Sequence, residues 1–174
     1  MQMAPTIKLP LMIVSGGQTG VDRAALDVAL ELGLPCGGWC PRGRRAEDGP
    51  IPAHYPLDET PSPAYPVRTR WNIRDSDATL VLTRGKADRG TALTCALAQR
   101  MRKPLLILDL REPVPLPVIR QWLFDNAVNV VNIAGPRESS QPGIYAQTVE
   151  VLRGLLTGSK PAEPEPQGCG PSEQ

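Results

Sequence analysis

The chain has 174 residues, of which 41% are hydrophobic and 21% charged. That is enough for one globular domain with its own core. The formal net charge of +1 gives no global field toward nucleic acid or a membrane surface, and no apolar run approaches the roughly 20 residues of a membrane span. Aromatic residues make up only 4%, which predicts an aliphatic core of the kind found in helix-covered parallel sheets.

Met1–Pro10 carries one Lys and no long apolar segment. It reads as a disordered lead-in, not a signal peptide. The first strand is expected over 11–15 and the first helix over 21–32, closed by Gly33 as a C-cap. A short apolar stretch at 36–40 reads as the second strand, followed by a Pro- and Gly-rich irregular region, 41–67. Long loops of this kind are usually functional or mobile. A short helix is expected at 69–75 with Trp71 in the core, then a fully buried strand over Ala78–Thr83. Helix 90–102, strand 104–109, helix 116–126, strand 128–133 and helix 143–156 follow. The Pro/Glu/Ser/Gly-rich segment 158–174 reads as a disordered tail. The ordered domain is thus 11–157, and its β-α alternation predicts an α/β fold in three layers: a mostly parallel sheet flanked by helices. Ligands of such sheets sit outside the carboxyl ends of the strands.

The four cysteines, Cys36, Cys40, Cys95 and Cys169, form no C-x-x-C pair, and the single His54 completes no zinc pattern. No metal site is expected. Reduced thiols in a cytoplasmic protein are the simple reading, with Cys95 a small buried apolar residue.

Four segments would meet at the carboxyl edge. Ser15-Gly16-Gly17-Gln18-Thr19-Gly20 links the first strand to the first helix. Its glycines present backbone N–H groups at a helix N-terminus, which attracts anions. Against G-x-G-x-x-G it has Ser15 at the first position, then Gly17 and Gly20. No acid follows at the ribose position, where Arg42, Arg44 and Arg45 stand instead, so a standard NAD site is disfavoured. A P-loop also fails, for want of Gly-Lys-Ser/Thr. The second segment, Pro41–Gly49, holds arginines suited to phosphate oxygens, or is a solvated loop. Its Glu47 and Asp48 are weak candidates for a cation or water. The third, Thr83–Thr91, repeats the strand–glycine–helix arrangement with Arg84, Gly90 and Thr91. The fourth, Asn132–Ser140, adds Arg137. Asn72 and Asp75 are further candidates, with helix capping as the alternative. His54 reads as a surface residue.

Ser15-Gly-Gly-Gln-Thr-Gly-Val-Asp-Arg23, with Asn72-x-x-Asp75-Ser-Asp77, Gly90-Thr91 and Gly135-Pro-Arg-Glu138 before Pro142-Gly-Ile-Tyr145, resembles the family called "putative molybdenum carrier". That family lies within the Rossmann-like superfamily of lysine-decarboxylase-like and cytokinin-activating LOG proteins. The resemblance spans the ordered domain. It implies a Rossmann-like fold, often oligomeric, and a ligand related to a nucleotide or to the molybdenum cofactor. Enzymatic relatives hydrolyse nucleoside monophosphates and carry Pro-Gly-Gly-x-Gly-Thr-x-x-Glu. Here Gly90-Thr91 is kept, but Thr94 stands where the Glu would be, and a threonine supplies no carboxylate.

Together these readings point to a cytoplasmic carrier that binds a small anionic, phosphorylated ligand, with no nucleic-acid or membrane partner and a homo-oligomeric state. Gly16, Gly17, Gln18, Thr19 and Gly20 would hold the phosphate, or molybdate, through backbone amides, and Gly90 and Thr91 would form the opposite wall. Arg42, Arg84 and Arg137 would supply charge, and Asp22 and Asn72 would bond to ring or sugar. The alternatives are a nucleotide N-glycosidase using Asp22, Glu47 or Asp75, and an oligomeric ligand sensor.

Overall fold

The structure is a computed structural model, and it describes residues 11–157. The expected lead-in, 1–10, and tail, 158–174, lie outside the described residues. A five-stranded, all-parallel sheet is built from β1 (Met12–Val14), β2 (Cys36–Gly37), β7 (Ala78–Thr83), β8 (Leu105–Asp109) and β9 (Val130–Ala134), in the spatial order β2-β1-β9-β7-β8. Helices α1 (Val21–Glu31), α4 (Leu116–Asp125) and α5 (Ile144–Thr157) cover one face, while α2 (Tyr65–Arg74) and α3 (Arg89–Arg100) pack together on the other. Three layers result, as the sequence pattern predicts.

Successive residues of a strand point to opposite faces. The face under α1, α4 and α5 is aliphatic: Ile13, Leu80, Leu82, Val131 and Ile133 are buried with Val28, Ile119, Leu152 and Leu155 in the main core. Each such side chain, taken fully out of water, contributes about 1.5–3 kcal/mol. The face under α2 and α3 is polar in places, with Thr79, Thr83 and Asn132 all buried. Asn132 Nδ2 donates to Thr79 Oγ1 across the β7–β9 register at 3.3 Å.

The chain's last strand, β9, sits at the centre of the sheet. Counting the main-sheet strands from β9, the order reads 3-2-1-4-5, the Rossmann arrangement. The chain is a doubly wound sheet opened at a different point. The strand order reverses between β9 and β7, and that is where a crevice forms.

The region after β2 departs from expectation. The apolar stretch at 36–40 is two strands, split at Gly38, whose φ is 132°. A Cβ there would stand 2.3 Å from the Ser15 carbonyl oxygen. Beyond the split, β3 (Trp39–Cys40) leaves the main sheet and pairs with β6 (Asp58–Glu59). The irregular segment also holds a small hairpin, β4 (Arg45–Ala46) with β5 (Gly49–Pro50). Leu26, Cys40, Ile51, Tyr55 and Leu57 give it a core of its own. Helix α2 begins four residues before its expected start, because Pro66 falls in its first turn, where the missing N–H costs nothing. Trp71 is half-buried, not core, and meets Trp39 edge-on at 4.7 Å. Cys95 is likewise only half-buried, and desolvation pushes its thiol up.

Gly33 follows the C-cap of α1 with a φ of 66°. Leu34 N donates to Ala29 O at 2.9 Å and Gly33 N to Leu30 O at 3.2 Å, a Schellman ending. Gly20, at the other end of α1, also has positive φ, 78°. Its surroundings differ: an added Cβ would stand 2.4 Å from Pro136 O, whereas nothing lies within 4 Å at Gly33. Gly33→Ala is therefore expected to lose about 1–2 kcal/mol. Gly20→Ala adds a backbone clash, and its urea midpoint should fall distinctly further.

Candidate functional site

A cavity of about 340 Å³ lies between α2, α3 and the carboxyl ends of β1, β9 and β7. Its floor is set by Asp22, Asn132 and Thr94, each at most 5% exposed. Its rim carries Arg89, Arg137 and Ser140, all exposed. The position is the switch point of the sheet, where ligands of doubly wound folds bind.

The opening loop meets the cavity through a buried ion pair. Asp22, in the first turn of α1, is 4% exposed. Its Oδ2 accepts from Arg68 Nη1 at 2.9 Å and from the Gln18 amide at 3.3 Å. Burial pushes the Asp22 carboxyl up, while the Arg68 charge, its hydrogen bond and the Gln18 amide pull it back down. Arg68 lies directly over Gly16: an added Cβ would stand 1.5 Å from Nη1. Gly16 is thus a close-approach glycine, and the guanidinium fills the space above it. The Thr19 amide is also engaged, by Gln18 Oε1 at 3.0 Å. The loop's amides at Gln18 and Thr19 are satisfied internally, and the carboxylate of Asp22 takes the place of an external anion.

The remaining sequence candidates are dispersed. Gly16, Gln18, Asp22, Asn72, Gly90 and Arg137 line the cavity. Gly17 faces away, where a Cβ would meet Leu57 and Ile51. Thr19 and Gly20 line a separate open depression with Arg23, Asp27, Tyr55 and Tyr145. There Asp27 accepts from Tyr55 Oη at 2.7 Å and Tyr145 Oη at 2.6 Å. Desolvation, reinforced by Asp27, pushes the Tyr145 hydroxyl up to about 12. Arg42 is exposed on the far side of the hairpin loop, its amide on Ser62 O. Arg84 donates from Nη1 to Pro142 O at 2.8 Å. Neither lines the cavity. Asn72 spends its amide on β3, accepting from Trp39 N at 2.7 Å and donating to Trp39 O at 3.0 Å.

Of the three carboxylates considered for catalysis, only Asp22 reaches the cavity. Asp75 accepts from Trp39 Nε1 at 2.7 Å and from Arg74. Glu47, at the hairpin tip, ties three loops together. Its carboxylate accepts from the hydroxyls of Thr19 and Ser139 and from the Ser139 amide at 3.2 Å, and pairs with Arg137 at 3.5 Å. Its own amide donates to Gln18 Oε1 at 2.9 Å. Next to it, Asp48 takes both Nη atoms of Arg23 at 3.1 Å.

The far wall is the start of α3. Asp88 caps the helix, accepting from the Thr91 amide at 2.8 Å. The amides of Arg89 and Gly90 find no acceptor among the described residues. Thr94 hydroxyl donates to Gly90 O at 3.1 Å. Arg68 Nε and Thr91 Oγ1 are buried without a partner, the kind of unpaired donor that calls for an explanation. Arg68, Tyr65 and Thr69 were not among the candidates from sequence. With Asn72 they fall at i, i+3, i+4 and i+7 of α2, a single helical face turned to the cavity.

Removing Arg68 strands a buried charge. Arg68→Met is expected to destabilise by about 3 kcal/mol in urea denaturation, and the double variant with Asp22→Asn should recover most of that loss. Burial opposes ionisation of Glu47, but the hydrogen bonds from Ser139 and Thr19 and the Arg137 charge outweigh it, so its carboxyl lies below the usual range. The bidentate bonds from Arg23 lower Asp48. Stability from these two groups is present above the ordinary carboxylate value of about 4 and lost as pH falls through their lowered native values. In thermal melts from pH 7 to pH 2, a Glu47→Gln, Asp48→Asn variant should start lower and lose less on acidification than the parent.

Comparison with known proteins places the chain. Residues 13–156 match the model of the Circularly permutated YpsA SLOG family. A crystal structure of "Putative molybdenum carrier protein" from Syntrophus aciditrophicus SB shares 42% identity, with a TM-score of 0.83, over 87% of this chain and 96% of that one. Among curated proteins, none matches the chain. The strand order that begins at β9, together with these two likenesses over most of the chain, shows that the protein belongs to the circularly permutated YpsA SLOG family.

Proposed function

We propose that the protein is a carrier or binding protein for a small phosphorylated, ring-bearing ligand, a nucleotide derivative or a molybdopterin-type cofactor, held in the cavity between α2 and α3. The observation that carries this reading is the pairing of open donors at the rim with a buried floor. The Arg89 and Gly90 amides at the α3 N-terminus, with the Arg89 and Arg137 side chains, suit a phosphate. A volume of about 340 Å³ falls within the range of small-ligand sites. The phosphate therefore belongs at α3 and the β9 loop in this reading, not at the opening loop.

The name carried by the Syntrophus protein supports the cofactor branch. The cavity's donor set suits the organic part of such a cofactor. No cysteine, histidine or methionine lines it. No cluster of three His, Cys, Asp or Glu side chains that could hold a metal occurs among the described residues. Molybdenum would enter with its own organic ligand or as an oxyanion held by Arg89 and Arg137. A binding role, not hydrolysis, is supported by Thr94 on the floor, whose hydroxyl is bound to a backbone carbonyl.

The test is a thermal-shift series with nucleoside monophosphates, a pterin phosphate, molybdate and unphosphorylated nucleosides. A phosphorylated ligand at 100 times its Kd should add about 2.7 kcal/mol of stability. Arg137→Ala combined with Arg89→Ala should weaken that shift, and nucleosides should give little. No shift from any phosphorylated ligand or molybdate would remove the reading. Release of free base from a monophosphate, lost in Asp22→Asn, would replace it with hydrolysis.

A further inference from the structure

The cavity floor holds an acceptor that the fold leaves open. Asp22 Oδ2 takes both hydrogen bonds that reach this carboxylate, from Arg68 and from the Gln18 amide. Oδ1 accepts none among the described residues, although Asp22 is 96% buried and lines the cavity. Asn132, equally buried on β9, donates from Nδ2 to Thr79 and leaves its Oδ1 open to the same space. Arg68 donates beside them, to Asp22 Oδ2, and further donors, Arg89, Arg137 and the free α3 amides, stand at the rim with the Asp88 carboxylate. The closed end thus carries two acceptors without a donor among the described residues, Asp22 Oδ1 and Asn132 Oδ1.

A buried polar group selects for the partner it lacks, because a ligand that cannot supply that partner leaves it unpaired. An open carboxylate oxygen selects for hydrogen-bond donors, and a ring N–H beside an amino group supplies two of them. From this geometry we infer the class of ring the site takes: a 2-amino-4-oxopyrimidine-type ring, as in guanine or a pterin, bound through its adjacent ring N–H and amino group to Asp22 Oδ1, with Asn132 Oδ1 as the neutral neighbour. Adenine presents a ring-nitrogen lone pair beside its amino group, and that lone pair would face the carboxylate. Hypoxanthine keeps the ring N–H but lacks the amino group. Asp22 is on this account a specificity-determining residue. The inference rests on the proposed binding of a phosphorylated ring compound in this cavity and adds which ring.

The experiment is calorimetric titration of the full chain with guanosine, inosine and adenosine monophosphates and with a pterin monophosphate. The guanosine compound should bind about tenfold to a hundredfold tighter than the adenosine compound, the span that one paired donor–acceptor edge discriminates, with inosine between. Whichever of the guanosine and pterin phosphates binds more tightly names the source of the shared ring edge. Asp22→Asn, checked for native circular dichroism, should bring the guanosine and adenosine affinities within about threefold of each other. Should that variant fail to fold, the nucleobase series on the parent chain decides alone. Equal or tighter binding of the adenosine compound overturns the inference while leaving the binding role standing. A guanosine preference unchanged in folded Asp22→Asn removes Asp22 from it. Binding of none of the four overturns the inference, and joined with no response to molybdate or any other phosphorylated ligand it removes the proposed function as well.

Discussion

One buried carboxylate organises this site. An ionised Asp22 in the first turn of α1 is tolerable in the interior only with a counter-charge, and Arg68 supplies it from a helix 46 residues along the chain. Several features follow. Residue 16 must lack a Cβ, because the guanidinium occupies that space. Helix α2 must lie across the carboxyl end of β1, which brings Asn72 onto the main chain of Trp39. The chain after Gly38 is thereby turned out of the main sheet to begin the smaller one. The same pairing quiets the loop that a strand–glycine–helix motif would present to an anion, since its Gln18 amide already faces a negative group. In the proposed reading the anion therefore sits at the N-terminus of α3, with the opening loop at the closed end.

The permuted strand order explains why this division of labour arises. In a sheet read 3-2-1-4-5 from β9, the turn that leaves the first strand is the one after Ala134, not the one after Val14. The opening glycine loop follows the second strand of that order and sits one place off the switch point. Gly135 has the close-approach environment of a first-strand turn: an added Cβ would stand 2.2 Å from Leu82 O. Arg137, three residues from the end of β9, and Arg89, at the start of α3, flank the reversal from either side. Glu47 bridges from the hairpin to this turn and to Thr19, so the two glycine-bearing loops and the hairpin tip are held as one assembly.

Much of the fold was legible before any coordinates, and the reasons are local. Ala78–Thr83 and Val130–Ala134 are short aliphatic runs, and α1, α3, α4 and α5 carry apolar residues at helical spacing, so their existence follows from periodicity. The second strand is legible at 36–40, but its split at Gly38 and the two-residue strands β4, β5 and β6 are not, because each is defined by a pairing and not by a run of its own, as Asp58 is by Trp39. Helix α2 was half seen. Pro66 falls in the segment expected to be irregular, although in a first turn a proline starts a helix. That truncation hid Tyr65 and Arg68 and with them the polar stripe facing the cavity. Arginines cluster at 42–45, but Arg44 satisfies the carbonyls of Ile51, Pro52, Tyr55 and Leu57 within its own loop. Charge density along a sequence reports composition; which guanidinium meets the cavity is decided by the crossing of α2 over β1.

The central place of β9 also bears on how the molecule is made. In chain order β9 is the last strand of the main sheet, and it joins the β1–β2 pair to the β7–β8 pair. Without residues 130–134, β1 and β7 would each present an unpaired inner edge, the feature that invites pairing with other chains. Insertion of β9 closes both edges at once and brings Asn132, Gly135 and Arg137 to the cavity in the same step. A fragment that stops short of β9 would lack both the centre of the sheet and these cavity residues.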